Sequence, residues 1–298
     1  MLITLFTPTY NRAHLLSDLY HSIARQDFEN FEWLIVDDGS TDQTREVVQQ
    51  FINENKISIR YIHKPNGGKH TAVNEGVRNA KGELFLIVDS DDMLADDALN
   101  IIARKYAMIK DNPKVCGIIG LSSYLDGELV GSKFIKENWL VSFAEVYLKY
   151  KVKGDKAVAF KTETMRKFPF PEPQDIRFVF EDVVWHEMAK EYDVLAINKV
   201  LQKKEYLKEG ISDSSYKKWY LKSLAFSFYK LIDNKTYPFF KYPKSFIWNY
   251  IHLAINSKLA GADYFSKLNL KDKMIYVLFY PRAFYSYRNM KKKLLTDD

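Results

Sequence analysis

The chain has 298 residues, 47% of them hydrophobic, and a formal net charge of +6, the composition of an ordinary globular protein of one large domain or two. Its single cysteine, Cys116, excludes an internal disulfide and fits a reducing, cytoplasmic compartment. The apolar run at 274–280 falls far short of the ~20 residues that a membrane-spanning helix needs.

The chain opens without a cleavable leader pattern and runs into a short apolar strand, LITLFT at 2–7. Residues 13–26 carry Leu15, Leu16, Leu19 and Ile23 at helical spacing. EWLIV (32–36) predicts a second strand, 41–53 a second helix, and ISIRYI (57–62) an alternating third strand. A helix over 70–80, a fourth strand LFLIV (84–88) and a fourth helix over 96–109 follow. Strands alternating with helices imply an α/β fold, a mostly parallel sheet flanked by helices with right-handed crossovers. Ligands of such sheets bind beyond the carboxyl ends of the strands.

The residues just after each strand are therefore the candidates. They are Thr7-Pro8-Thr9-Tyr10-Asn11-Arg12, Asp37-Asp38-Gly39-Ser40-Thr41-Asp42, Lys64-Pro65-Asn66-Gly67-Gly68-Lys69-His70 and Asp89-Ser90-Asp91-Asp92. Helix capping is enough to explain Ser40, Thr41, Asp42, Asp96 and Asp97. Asn66-Gly67-Gly68 also suits a plain turn, and Lys69 a solvated charge. Asp89, Asp91 and Asp92 ask for more, because adjacent carboxylates at a strand end need a counter-charge. Hard Mg²⁺ or Mn²⁺ supplies it, and an ion that keeps waters and substrate phosphates needs only one or two protein carboxylates. No G-x-G-x-x-G follows strand one and no G-x-x-x-x-G-K-[ST] occurs, which excludes the dinucleotide fingerprint and the P-loop.

Together TPTYNR (7–12), VDDGSTD (36–42), NGG (66–68) and VDSDD (88–92), in this order and spacing, resemble a family 2 glycosyltransferase of the GT-A (Rossmann-like) fold. The resemblance is close over residues 1–100, reaches FEDVVW (180–185) and stops before 216–298. It implies inverting transfer of a sugar from a nucleotide diphosphate, usually UDP, to a saccharide or lipid-linked saccharide hydroxyl. It implies that Thr7, Pro8, Tyr10 and Arg12 belong to the donor site and that Asp38 accepts from the base. Asn66, Gly68, Lys69 and Ser90 join that site. Asp89 becomes the ribose-side or metal-side carboxylate, and Asp91 the principal ligand of Mg²⁺ or Mn²⁺. Asp182 matches the general base, with Glu181 beside it. Trp185 and Ser212 fall on the acceptor side. Ser212 and Lys208 lie in YLKEGISDSS (206–215), which looks like the family's donor-closing segment and equally suits a plain linker. One departure stands out: Ala72-Val73-Asn74 replaces the Ala-Arg-Asn that the family often has, so an arginine is missing and Lys69 stands in for its charge.

The chemistry asks for the same parts independently. Single displacement needs a base for the acceptor hydroxyl and a means to hold the leaving diphosphate. Val183, Val184, Glu187 and Met188 fall at helical spacing, which puts Asp182 near a helix start where the dipole favours the ionised form. On spacing alone, helix start and base are equally good readings of Glu181 and Asp182, and His186 reads as a packed or surface residue. KAVAFK (156–161) and VLAINKVL (194–201) predict further strands, and the loop FPFPEPQD (168–175) is expected beside the acceptor cleft. The expected domains are a transferase domain over 1–215, with a donor half at 1–112 and an acceptor half at 113–215, and a helical region over 216–298.

That last region is distinctive. Residues 199–298 hold 20 Lys and Arg against 8 Asp and Glu, and 22 of the 45 aromatics. Helices are predicted at 216–232, 244–258 and 271–295, with Pro281 interrupting or starting one. The aromatics suit a core or a homodimer contact, or a monotopic surface on anionic lipid. Implied lipid-linked acceptors favour a peripheral place at the inner face of the plasma membrane, and no nucleic-acid partner is expected. Two rival functions are weaker. A sugar nucleotidyltransferase wants a Gly-rich loop after strand one, and TPTYNR has no glycine; a catalytically silent binding module would not need Asp91 and the Glu-Asp pair.

Overall fold

The computed structural model describes residues 1–205 and 217–294, with 289–294 as backbone only. Ser212 and Lys208, with the rest of 206–215, lie outside the described residues. The chain divides into two compact units, Met1–Phe170 with Met188–Leu207, and Pro171–Glu187 with Lys208–Asp298.

The first unit is built on one sheet. Its first strands, β1 (Ile3–Thr9) and β2 (Phe31–Asp37), are buried along their whole length, as near-continuous apolar runs at the centre of a parallel sheet must be. β1 pairs in parallel with β2 and with β4 (Leu84–Ile87), and β2 with β3 (Ile59–His63). The register sets Thr9 opposite Asp37 and Asp37 opposite His63, so three loops leave one edge together. The helices between them are α1 (Leu16–Ala24), α2 (Thr44–Glu54) and α3 (Lys69–Asn79). Tyr20 stacks on Phe51 at 4.2 Å and on Trp33 at 6.2 Å, locking α1 and α2 to β2.

Beyond β4 the sheet becomes mixed. After β5 (Asp92–Leu94) and α4 (Ala98–Ala107) come β6 (Val115–Tyr124), β7 (Trp139–Val141), α5 (Phe143–Leu148), β8 (Lys156–Lys161), α6 (Thr162–Lys167) and, after α7 (Asp182–Met188), β9 (Asp193–Lys204). The order is β3-β2-β1-β4-β8-β6-β9-β5, with β7 also on β9. Parallel pairing thus holds for the four-strand half that the sequence predicted, while β8, β5 and β7 enter antiparallel. The predicted strands at 156–161 and 194–201 are β8 and the middle of β9. β6 escapes a periodicity reading because Gly117 and Gly120 dilute it. They are required by close approach: a Cβ would meet the Ala159 carbonyl oxygen at 2.4 Å and Leu201 Cδ1 at 2.4 Å.

The second unit carries α8 (Lys218–Asp233), α9 (Pro243–Ala260) and α10 (Leu270–Leu294). Pro243 starts α9 and Gly261, at φ +65°, ends it. Ile251, Ala254 and Ile255 of α9 pack on Ala283, flanked by Tyr276, Phe279 and Tyr287 of α10. Pro281 does not interrupt α10, contrary to expectation. Pro281 is exposed, so the Val277 carbonyl that loses its amide partner can be hydrated, and contacts with α9 on both sides of it hold the helix. Among the described residues no helix is long and apolar enough to cross a membrane.

One buried charge ties the far edge of the sheet. Glu32, 1% exposed, accepts from Thr4 Oγ1 at 2.7 Å, the Lys81 amide at 2.9 Å and Arg60 at 2.8 Å. Burial would raise its pKa, but the bonds from Arg60 and Thr4 outweigh that and hold it below the ordinary carboxylate value. A depressed folded-state pKa contributes stability above the unfolded pKa and loses it as pH falls through the folded one. Glu32→Gln is expected to cost about 1–3 kcal/mol in urea unfolding at neutral pH. The deficit should shrink as pH drops below the ordinary carboxylate range; a deficit independent of pH contradicts the assignment.

Candidate active site

The carboxyl edge of the parallel half is a set of interlocked loops. Asn11, at φ +52°, donates its amide to Ser40 Oγ at 2.8 Å and accepts the Thr41 amide on Oδ1 at 2.8 Å. Asp42 accepts the Ala13 amide at 3.1 Å as well as the Thr44 amide that begins α2. Asp37 is internal, accepting from the Ser40 amide and the Tyr61 hydroxyl. Thr7 also turns inward: it is fully buried and accepts from Trp33 Nε1 at 3.0 Å, so its hydroxyl serves the scaffold. Tyr10, 48% exposed, is the large side chain of TPTYNR left on the surface.

Asp38, 4% exposed, organises the third loop. Its Oδ1 accepts from the Gly67 amide at 2.9 Å and Lys64 Nζ at 2.5 Å, and its Oδ2 from the Gly68 amide at 2.7 Å. Asn66 Nδ2 donates to its carbonyl at 2.8 Å. Gly39, at φ +86°, allows the close approach, since a Cβ there would meet the Asn66 nitrogen at 2.8 Å. Gly68, at φ +94°, opens α3 and sets Lys69 as its first residue. In the next turn Val73, at the position of the missing arginine, is buried, and Asn74 beside it brackets the Phe170 backbone at 2.8 and 2.9 Å.

The strand-four carboxylates divide into different environments. Asp89, a third exposed, is gripped by Lys69 Nζ at 2.8 and 2.9 Å. Burial would raise its pKa, but Lys69, Lys204 and Arg12 together hold it below the ordinary value. Asp92, 5% exposed, pairs with Lys204 Nζ at 2.9 Å where β5 meets β9. Burial, opposed by Lys204 and reinforced by Asp89 and Asp91, pushes Asp92 up to about 7. Burial also weakens the Lys204 charge, but Asp92 and Asp89 prevail and hold its pKa above the ordinary value. Asp91 is half-buried and takes no hydrogen bond or ion pair among the described residues. Ser90 is buried beside it.

Among the described residues no three His, Cys, Asp or Glu side chains close into a metal cage. The donor set nevertheless fits a hard divalent ion that completes its shell with phosphate and water. Asp91 is an open carboxylate, and Asp89 is ionised next to it. Lys204 escaped the sequence reading, and Lys64 entered it only as part of its loop. Each looks like a surface lysine, and each gains its role from a partner 112 and 26 residues away.

The second unit holds the Glu-Asp element. α7 begins at Asp182, as expected, and the Asp182 side chain is 67% exposed. The Trp185 and Val184 amides donate to the Glu181 carbonyl at 2.9 Å. His186 Nε2 lies 3.7 Å from Asp182 Oδ1; His186 is 4% exposed, and burial lowers its pKa. It packs edge-on to Tyr237 at 5.2 Å. Phe180, just before the pair, packs edge-on to Tyr220 of α8 at 5.3 Å. Trp185 does not offer an acceptor platform: it is 6% exposed, on a short helix where Val183, Val184, His186 and Met188 are buried as well.

The family described as "Glycosyl transferase family 2" matches residues 4–167. The poly(ribitol-phosphate) beta-N-acetylglucosaminyltransferase TarS of Staphylococcus aureus is 36% identical over 101 residues, 33% of this chain and 18% of TarS. Glycosyltransferase GlyG of Streptococcus pneumoniae is 36% identical over 111 residues, 37% of this chain and 36% of GlyG. The chain thus covers well under two thirds of these relatives' length. The crystal structure of S. aureus TarS 1-349 in complex with UDP-GlcNAc superposes with TM-score 0.60 at 20% identity, covering 94% of this chain and 79% of that one. The mannosyltransferase PcManGT from Pyrobaculum calidifontis, in complex with GDP-Man and Mn2+, gives TM-score 0.56 at 21% identity, covering 97% of this chain and 83% of that one. Both likenesses are of fold, and the fold is the GT-A arrangement.

Asp38 gives a test of the loop geometry. Asp38→Ala leaves two glycine amides without their acceptor and takes the carboxylate from the Lys64 ammonium, which keeps the Pro65 carbonyl and Thr71 Oγ1, and is expected to cost about 1–3 kcal/mol. Urea unfolding checks this, and an unchanged midpoint contradicts the structural role.

Proposed function

The chain belongs to glycosyl transferase family 2, and we propose that it moves a sugar, with inversion, from a UDP-sugar to the hydroxyl of a saccharide or lipid-linked saccharide. The observation that carries this reading is the division of labour among Asp89, Asp91 and Asp92. Two are held by lysines, and the third takes no hydrogen bond or ion pair among the described residues, on the same carboxyl edge as the turn that Asp38 holds. A nucleoside diphosphate matches that edge. Tyr10 offers a face to the base, with Pro8 beneath it in the chain. The Asn66-Gly67-Gly68 turn, ordered by Asp38, forms the wall, and Arg12 and Lys69 carry charge toward the phosphates. The complexes of TarS with UDP-GlcNAc and of PcManGT with GDP-Man and Mn2+ support a nucleotide-sugar donor and a divalent ion. In this reading residues 1–112 serve the donor and 113–215 the acceptor.

Asp91 and Asp89 would hold Mg²⁺ or Mn²⁺, which when bound neutralises charge on the leaving diphosphate. The remaining work falls to side chains. Asp182 takes the acceptor hydroxyl proton; the freed oxygen attacks the anomeric carbon opposite the diphosphate, whose bond breaks with the electron pair leaving on phosphate oxygen. The high exposure of Asp182 supports access to an acceptor, and buried His186, with its pKa lowered, is neutral and a positioning neighbour. Glu181 is the next candidate base. Cys116 is buried, with its thiol pushed up to about 12 by burial, so it is unreactive and suits a cytoplasmic, reducing setting.

Two variants test the reading. Asp91→Asn should abolish the Mn²⁺-dependent part of UDP binding in calorimetry without changing the fold; unchanged binding at saturating Mn²⁺ removes the metal assignment. Asp182→Asn should slow UDP release from a UDP-sugar in the presence of acceptor by ~10²–10⁴, the usual worth of a positioned base. UDP affinity should stay the same, and a near-normal rate passes the role to Glu181.

A further inference from the structure

α10 is apolar on two faces. One face lies on α9. The other carries Leu270, Met274, Val277, Leu278, Phe284 and Tyr285, all exposed, with Leu270 at 77%, Leu278 at 71% and Tyr285 at 70%. At about 100° per residue these six form one stripe about 120° wide along the helix. A stripe of this kind on a helix that is already anchored is an unfilled contact.

Its borders name the partner. Lys271 and Arg282 flank one side of the stripe and Lys273 the other, by the same helical spacing. Lys258 of α9 stands 4.5 Å over the Phe284 ring, adding a cation on that side. The sole carboxylate of α10, Asp272, is buried and accepts from Tyr250 at 2.7 Å and from Asn269. The helix therefore borders its apolar stripe with cations only.

We propose that this face of α10 lies on an anionic lipid surface. A bilayer supplies both an apolar phase for the stripe and negative headgroups for Lys271, Lys273 and Arg282. A second copy supplies the first without the second, because facing stripes would bring cation against cation with no carboxylate from α10 between them. The excess of Lys and Arg over residues 199–298 acts in the same direction. α10 rests in the interface plane, since it is not apolar enough to cross.

The test is flotation of the full chain with vesicles of equal parts phosphatidylglycerol and phosphatidylcholine, against phosphatidylcholine alone. It is run at about 0.1 M and about 1 M salt, between which the Debye length falls from ~10 to ~3 Å. The expected result is flotation on anionic vesicles that weakens at high salt and is absent from neutral ones. M274E/L278E, at two exposed positions that leave the α9 contact intact, should lower the bound fraction by about tenfold with an unchanged melting curve. K271E/R282E should lower it as well, and decides the matter if the first variant folds poorly. No flotation at low salt, or flotation unchanged in both variants, overturns the proposal. So does a dimer, seen by light scattering, that M274E/L278E dissociates.

Discussion

A buried strand that ends on three carboxylates has to find positive charge. At about 4 Å, like charges oppose one another by ~1–4 kcal/mol in water-like to surface-like surroundings. β4 leads into Asp89, Asp91 and Asp92, and two lysines from opposite ends of the first unit answer them. Lys69 arrives because the Gly67-Gly68 turn starts α3 beside the β4 edge. Lys204 arrives because the end of β9 lies between β6 and β5, pairing with Tyr124 on one side and setting Asp92 opposite Lys204 on the other. The mixed half of the sheet thus completes the charge balance of the parallel half.

The same edge is held rigid by short side chains turned onto the backbone. Asn11, Ser40, Asp42 and Asp38 bond backbone amides of neighbouring loops, Gly39 permits the close approach, and Gly68 takes the positive φ that opens α3. Such bonds fix three loops at little side-chain entropy, since the residues are short. Asp91, half-buried, and Tyr10, exposed, stand on this prearranged frame. In the proposed reaction this means the donor meets charges already placed, so little reorganisation accompanies binding.

Much of this was legible in the sequence. The apolar runs of β1, β2 and β4 announce themselves, and the polar residues after them mark the ligand edge. What was not legible depends on tertiary contact. β6 is broken by glycines that only a neighbouring strand explains, and β5 and β7 are three residues each. Thr7 and Trp185 read as site residues by motif, yet Trp33 claims the first and helical packing buries the second. Lys204 gives no local signal, because its partner lies across the sheet. Pro281 breaks a helix in isolation but not one anchored on both sides.

The central claim is that the edge holding Asp38, Gly67-Gly68, Lys69 and Asp89–Asp92 is where a nucleoside diphosphate binds. Amide hydrogen exchange of the full chain, with and without UDP and Mn²⁺, tests it most directly. The account predicts slowed exchange in peptides covering 64–72 and 88–94, with the Glu32 cluster at the opposite edge unchanged. Ligand-induced protection that avoids both peptides, or that falls only within residues 217–294, would contradict it.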